Sequence, residues 1–229
     1  MKQRDSKYLK CFAAGALLAG LVSAGRAVQE PAQGSEEPAP AEPAPAVEGW
    51  ELAKQQLGSD AAAAAQAAAA GLAGSAGEVA GEHQQLAFEI LIQLASEGRH
   101  EQAEVLALPL HERVAADWTA INLCLVLSQT GRFDQADAVL HDQLPRSTDP
   151  AELWNQRALL ASGQGRADLF RARLGRAVRL GSANAALSLA RADALAGRLE
   201  AARAGYRAGC DRTPPAPWSL RGWALTLLP

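Results

Sequence analysis

The segment GRFDQADAVL, residues 131–140, joins a helix-breaking glycine to the start of an amphipathic helix. Similar segments occur three more times, as GRHEQAEVLA (98–107), GRADLFRARL (165–174) and GRLEAARAGY (197–206). The successive glycines are therefore 33, 34 and 32 residues apart (98 to 131, 131 to 165 and 165 to 197). A period of this length with one glycine per unit predicts an array of helix–turn–helix repeats.

The segments before these glycines carry apolar residues at helical spacing and lack internal proline. They read QQLAFEILIQLASE, DWTAINLCLVLSQT, AELWNQRALLASGQ and NAALSLARADALA. The connections LPRSTDP and DRTPPAP contain the proline and aspartate that favour turns. The sequence thus predicts an all-α solenoid of four units, followed by a capping helix at 215–229. The units are expected at 84–116, 117–150, 151–182 and 183–214.

With these features the chain resembles the tetratricopeptide repeat (TPR) family. In the third unit, Arg157 and Phe170 replace the leucine and alanine of the family pattern. The resemblance implies a right-handed superhelix of helix–turn–helix repeats, with a concave groove that binds peptides. The residues that carry it, and that are expected to pack the repeats, are Gly98, Ala103, Gly131, Ala136, Trp154, Gly165, Gly197, Ala202 and Trp218.

The resemblance also assigns the residues that line the groove, on the first helix of each unit. They are Phe88, Ile92, Ile121, Leu125, Asn155, Leu159, Leu187, Arg191 and Trp223. This set is largely apolar and lacks the Lys and Asn clamp by which some family members hold a C-terminal carboxylate. An amphipathic helix or an apolar extended peptide is therefore the expected partner. The alternative is that neighbouring helices, or the 50–70 segment, cover these residues.

Residues 1–27 have the features of a secretory signal peptide. A basic leader with Lys2, Arg4, Lys7 and Lys10 precedes an apolar run and then the small residues of VSAGRAV. Cleavage after Ala24 and cleavage after Ala27 both fit this pattern. The apolar run is shorter than the roughly 20 residues that span a bilayer. We therefore predict export to the periplasm or cell envelope, with an uncleaved inner-membrane anchor as the alternative.

Two further segments lie between this leader and the repeats. Residues 28–49 consist mainly of Pro, Ala and Glu and contain no large apolar side chain beyond valine, which predicts a disordered linker. Residues 50–83 are rich in alanine, which favours helix. They are expected to form a helical extension that caps the array, or a low-complexity segment.

The sequence contains no recognisable catalytic motif. Its four histidines, His83, His100, His111 and His141, form no HExxH pattern, and no CxxC is present. Lys54 is the only lysine after Lys10, which excludes a P-loop. The carboxylates fall on apparent outer helix faces, where solvation accounts for them. Cys124 and Cys210 are two repeats apart, which is too far for a disulfide. We predict no enzymatic activity, no cofactor and no metal.

The net charge of −3 is unevenly distributed along the chain. Residues 50–150 hold 14 acidic and 5 basic residues, a net of −9, whereas 151–229 hold 5 acidic and 12 basic residues, a net of +7. Such polarity can steer an acidic partner to the C-terminal half, although arginine-rich composition alone also explains it. Nucleic acid is not an expected partner.

These observations predict a non-catalytic protein–protein interaction scaffold of the bacterial cell envelope. The alternative is a self-associating or membrane-tethered structural component of the envelope. Residues 215–229 end in WSLRGWALTLLP and are mostly apolar. This favours a homodimer or a docked partner at this helix.

Overall fold

The computed structural model describes residues 46–210, which form ten α-helices and no strand. The predicted signal peptide and the C-terminal helix at 215–229 lie outside the described residues. The helices are α1 (Ala46–Gln56), α2 (Ala61–Gly74), α3 (Gly81–Ser96), α4 (His100–Val114), α5 (Asp117–Gln129), α6 (Phe133–Gln143), α7 (Pro150–Gly163), α8 (Ala167–Arg179), α9 (Ala183–Leu195) and α10 (Leu199–Cys210). A short 3₁₀ turn, Leu144–Arg146, follows α6.

Consecutive helices pair into hairpins, and each hairpin packs on the next. The pairs α3–α4, α5–α6, α7–α8 and α9–α10 correspond to the four predicted units. Between units, α4 packs on α5, α6 on α7 and α8 on α9, while the first helices also touch, α5 with α7 and α7 with α9. This is the stacked arrangement that the repeat period predicted, because no hairpin buries its apolar face alone.

Each repeat glycine ends a helix, as the register predicted, and each adopts the left-handed conformation. The φ angles of Gly98, Gly131, Gly165 and Gly197 are 71°, 80°, 70° and 73°. Around Gly131, the glycine N–H donates to the carbonyl of Ser128 (3.1 Å) and the Arg132 N–H donates to that of Leu127 (2.9 Å). These two bonds form a Schellman motif, which satisfies carbonyls that the end of a helix leaves unpaired.

The N-terminal boundary of the solenoid differs from the prediction. Helix α1 begins at Ala46, so the last four residues assigned to the linker 28–49 are helical. Gly49 lies within this helical part, and a Cβ added there would lie 2.6 Å from the backbone nitrogen of Gly71 in α2. The absence of a side chain lets α1 and α2 approach closely, and composition alone did not reveal this role.

Residues 50–83 contain the rest of α1, all of α2, the connection at 75–80 and the first three residues of α3. Helix α2 packs on both α3 and α4, so the α1–α2 hairpin adds a layer to the stack. Trp50 is buried and stacks on His83 in α3, with ring centroids 4.6 Å apart. The connection is fixed by Arg113, whose Nη2 donates to the carbonyls of Ser75 (2.7 Å) and Gly77 (2.9 Å).

The apolar core is continuous from Trp50 to Leu160 and then divides. Two smaller clusters follow, one around Leu174 and one around Tyr206. The change occurs at the third unit, where Arg157 occupies a buried position of α7. Charged side chains therefore replace part of the apolar contact between the second and third units.

Candidate functional site

The first helices of the repeats, α3, α5, α7 and α9, carry the predicted groove residues in pairs four residues apart. Residues at this spacing share a helix face. Ile92 and Leu159 are 36% and 37% exposed, Arg191 is exposed, and Ile121, Leu125 and Leu187 are half-buried. Phe88 and Asn155 are buried. Trp223 lies outside the described residues. A row of accessible aliphatic side chains thus runs across the four units.

Phe88, which is buried beside this row, contacts Trp118, a residue that was not among the predicted groove residues. Its ring meets that of Trp118 edge to face, with centroids 6.0 Å apart. Trp118 lies three residues before Ile121 in α5 and is half-buried. The aromatic pair joins α3 to α5, and the helical spacing from Ile121 was the signal that could have identified it.

The face of α7 is polar at its N-terminal end. Glu152 and Asn155 are only 7% and 4% exposed. Glu152 Oε1 accepts hydrogen bonds from Asn155 Nδ2 (3.2 Å) and from Gln156 Nε2 (2.7 Å). Asn155 Oδ1 is buried without a hydrogen-bond partner within the described chain. Leu159 lies one turn further along this face.

A second buried polar cluster joins the second and third units. Arg157 donates to Asp137 from Nε and Nη2, both at 2.9 Å, and Arg173 Nη2 donates to the same carboxylate at 2.8 Å. Burial raises the pKa of Asp137, but the hydrogen bonds and charges of the two arginines outweigh burial and hold this pKa below its usual value. The guanidinium carbons of Arg157 and Arg176 lie 4.6 and 4.8 Å from the ring centroid of Trp154.

The other unit junctions use the same position of the repeat. Glu104, Asp137 and Arg171 each lie six residues beyond a turn glycine (98, 131 and 165). Glu104 pairs with Arg132 of the next unit, and Arg171 pairs with Asp193 of the next unit. Each of the three residues therefore links its own unit to the one that follows.

These contacts correct the prediction that the carboxylates lie on outer faces. Asp193 and Glu152 are buried, and Asp137 is half-buried. Burial raises the pKa of Asp193, but hydrogen bonds from Arg171 and Arg198 lower it below its usual value. The ion pairs of Asp137 with Arg157 and of Asp193 with Arg171 span 20 and 22 residues in sequence, a separation at which local periodicity carries no information.

The chemistry available in the described region is limited. No group of His, Cys, Asp and Glu side chains within residues 46–210 is arranged to hold a metal ion. Cys124 is buried, and burial together with the nearby Asp137 charge raises its thiol pKa well above the usual range. Among residues 46–210, no helix is both long and apolar enough to cross a membrane.

A shallow depression of about 330 Å³ lies at the hairpin ends rather than on the groove face. It is lined by the turn residues Gly131–Gln135 together with Gln164. Its position separates it from the aliphatic row described above, so it contributes nothing to that surface.

Comparisons with known proteins agree with the architecture. No protein-family model matches the chain, and no similar sequence was found among curated proteins. The chain is similar in structure to a thermophilic TPR protein from Thermus thermophilus, with a TM-score of 0.54 and 20% sequence identity. The match covers 80% of this chain and 100% of the other. The chain therefore has the fold of the tetratricopeptide repeat proteins.

Proposed function

We propose that the protein is a non-catalytic interaction scaffold that binds a peptide or an amphipathic helix of another protein across α3, α5, α7 and α9. The observation that carries this proposal is the row formed by Ile92, Ile121, Leu125, Leu159 and Leu187. These side chains are exposed or half-buried, although they lie on helices whose other faces are buried in the stack. An accessible aliphatic row with polar residues beside it suits the apolar face of a helical ligand.

The position of the N-terminal hairpin supports an accessible groove. Helix α2 packs against α3 and α4, which places the α1–α2 hairpin at the end of the stack. The 50–70 segment was the alternative cover for the groove residues. Its observed packing gives that alternative no support, because it extends the stack instead of lying across the later units.

Site-specific photo-crosslinking in the native cell envelope tests this proposal. A benzophenone amino acid is placed at Leu159 or Ile92, and matched controls carry it at Leu108 or Val105, which are comparably exposed but lie on α4. We expect one defined protein adduct from the first pair and none from the controls. Equal adducts from both pairs, or none from either, would contradict groove binding.

We also propose that the protein acts after export, in the periplasm or cell envelope. The basic leader, the short apolar run and the small residues that follow it support this location. Cell fractionation with mass analysis of the intact chain tests it. Export with cleavage gives an envelope protein that begins after Ala24 or Ala27. A full-length chain in the membrane fraction would instead favour the tethered alternative.

Self-association is the second candidate function, and an exposed apolar site near the end of the described chain favours it. Leu195 is 82% exposed, and Leu199, across the turn from it, is also exposed. Large aliphatic side chains grouped in this way often mark association surfaces. Sedimentation of the wild-type chain against Leu195→Glu tests this candidate. A concentration-dependent dimer that the substitution abolishes is expected, and a monomer in both cases would reject it.

A further inference from the structure

We propose that Glu152 and Asn155 form a recognition site for a lysine or arginine side chain of the partner. This inference rests on the proposed groove function and adds a charge preference at one position. The two residues lie in the first half of α7, between α5 and α9 in the stack. Leu159, on the same face, connects them to the accessible aliphatic row.

The carboxylate of Glu152 is buried without a cationic partner. Glu152 is only 7% exposed, and it forms no ion pair within the described part of the chain. Its hydrogen bonds come from the neutral amides of Asn155 and Gln156. The first turn of α7 stabilises the negative charge through the backbone dipole, but an isolated buried carboxylate remains costly.

Asn155 adds a second acceptor beside this carboxylate. Its Nδ2 donates to Glu152, which fixes the orientation of the amide, because the reverse orientation would place two oxygens together. The remaining oxygen, Oδ1, is buried and has no partner among residues 46–210. A buried acceptor without a donor loses the hydrogen bond it had with water. Asn155 Oδ1 therefore lacks a hydrogen-bond donor, and the Glu152 carboxylate lacks a positively charged partner.

A basic side chain from the partner supplies the missing hydrogen-bond donor and the missing positive charge. Lysine and arginine have long apolar stems, which can lie against Leu159 while the charged head reaches the acceptors. The neighbouring charges agree with this choice, because Asp117 and Asp149 also lie at the N-terminal end of α7. Gln156 is half-buried and donates to the same Glu152 oxygen. A charged donor that replaces it forms the stronger hydrogen bond.

Selection from a displayed peptide library tests the proposal. The library fixes apolar residues at helical spacing and randomises the remaining positions. The baits are the full wild-type chain, Glu152→Gln, a Glu112→Gln control on the exposed face of α4, and a Leu159→Glu groove variant. We expect the wild type and the control to enrich peptides with Lys or Arg at one fixed position. Glu152→Gln, with an unchanged melting temperature, should lose this preference.

The other outcomes separate the two proposals. Wild-type enrichment without a basic preference, or the same preference on Glu152→Gln, overturns this inference and leaves groove binding intact. Failure to enrich any peptide on the wild type over Leu159→Glu overturns both.

A measurement on the peptide side does not depend on the folding of any protein variant. Replacing the selected Lys by Met in the peptide should weaken binding to the wild-type chain about tenfold, the size expected for a hydrogen bond to a charged group. An unchanged Kd after this replacement would overturn the inference.

Discussion

Arg157 in α7 and Asp137 in α6 form a two-pronged ion pair, with Nε and Nη2 each 2.9 Å from a carboxylate oxygen. The pair lies near the end of the continuous apolar core and replaces part of the aliphatic contact between the second and third units. Arg173 shares the same carboxylate, so one aspartate balances two guanidinium groups that are each about nine-tenths buried. The ionic part of this junction therefore depends on a single acid.

Replacing that acid should destabilise the solenoid strongly. We expect Asp137→Asn to lower the free energy of unfolding by about 3 kcal/mol, because two buried arginines lose their counter-charge. Urea unfolding followed by circular dichroism measures the loss. The matched control is Glu200→Gln, which removes an exposed ion pair with Arg203 and should cost less than about 0.5 kcal/mol. Similar losses in both variants would show that the buried junction has no special role.

The stability difference between the wild type and Asp137→Asn should depend on pH. The folded-state pKa of Asp137 is lowered, since the arginines outweigh the effect of burial. Its stabilisation is therefore fully present above the unfolded-state pKa, about 3.9, and is lost as pH falls through the folded-state value. Urea midpoints of both chains should differ by a constant amount from pH 7 to about pH 5 and converge below about pH 4.

The turn glycines should resist substitution for conformational reasons alone. At Gly131, φ is 80° and a Cβ would meet no atom within 4 Å, so only the backbone conformation opposes a side chain. We expect Gly131→Ala to cost about 1–2 kcal/mol in the free energy of unfolding. Gly175→Ala, inside α8 where φ is not in the left-handed region, should instead stabilise by up to about 1 kcal/mol. Equal effects at the two sites would contradict this explanation.

The N-terminal hairpin should depend on the close approach at Gly49. A methyl group there would lie 2.6 Å from the Gly71 nitrogen and 2.8 Å from the Ala67 carbonyl oxygen. We expect Gly49→Ala to cost about 1–3 kcal/mol and to increase hydrogen exchange in α1 and α2. Gly58→Ala, in the turn between the same helices where a Cβ meets nothing within 4 Å, serves as the control and should leave the exchange of both helices unchanged.

The two cysteines of the described region should differ in reactivity. Cys124 is buried, and burial and the Asp137 charge both raise its pKa, so little thiolate is present or accessible at neutral pH. Cys210 is partly exposed near the end of α10. With Cys11 replaced by serine, a thiol reagent should label only Cys210 in the native chain and both cysteines in urea. Rapid native labelling of Cys124 would indicate that the second unit opens readily.

The sequence allowed the helical units to be predicted because their signals are local. A left-handed glycine such as Gly131 interrupts a helical pattern where the chain turns, and the apolar spacing identifies the helices on either side. The α1–α2 hairpin lacked this signal, since its turn at Leu57–Ser59 has no left-handed glycine and residues 75–80 form a longer connection. The period is therefore lost at that point.

The polar interior could not be predicted in the same way. Arg157 departs from the family pattern, but nothing near it in sequence identifies Asp137, 20 residues earlier, as its partner. Glu152 likewise reads as an ordinary polar residue near the start of a helix, and the family resemblance places Asn155 in the groove without indicating that it is buried. Their burial depends on how α7 fits between its neighbours, and that is a property of the assembled stack.

The position six residues after the turn glycine holds Glu104, Asp137 and Arg171 in successive units. Its partner in the next unit is an arginine for the two acids and an aspartate for Arg171. Exchanging the second and third hairpins would place Arg171 against the arginine that Glu104 now neutralises. The charges at the junctions therefore favour one order of the hairpins. Chains with the hairpins in another order should assemble poorly even though each hairpin keeps its own helices.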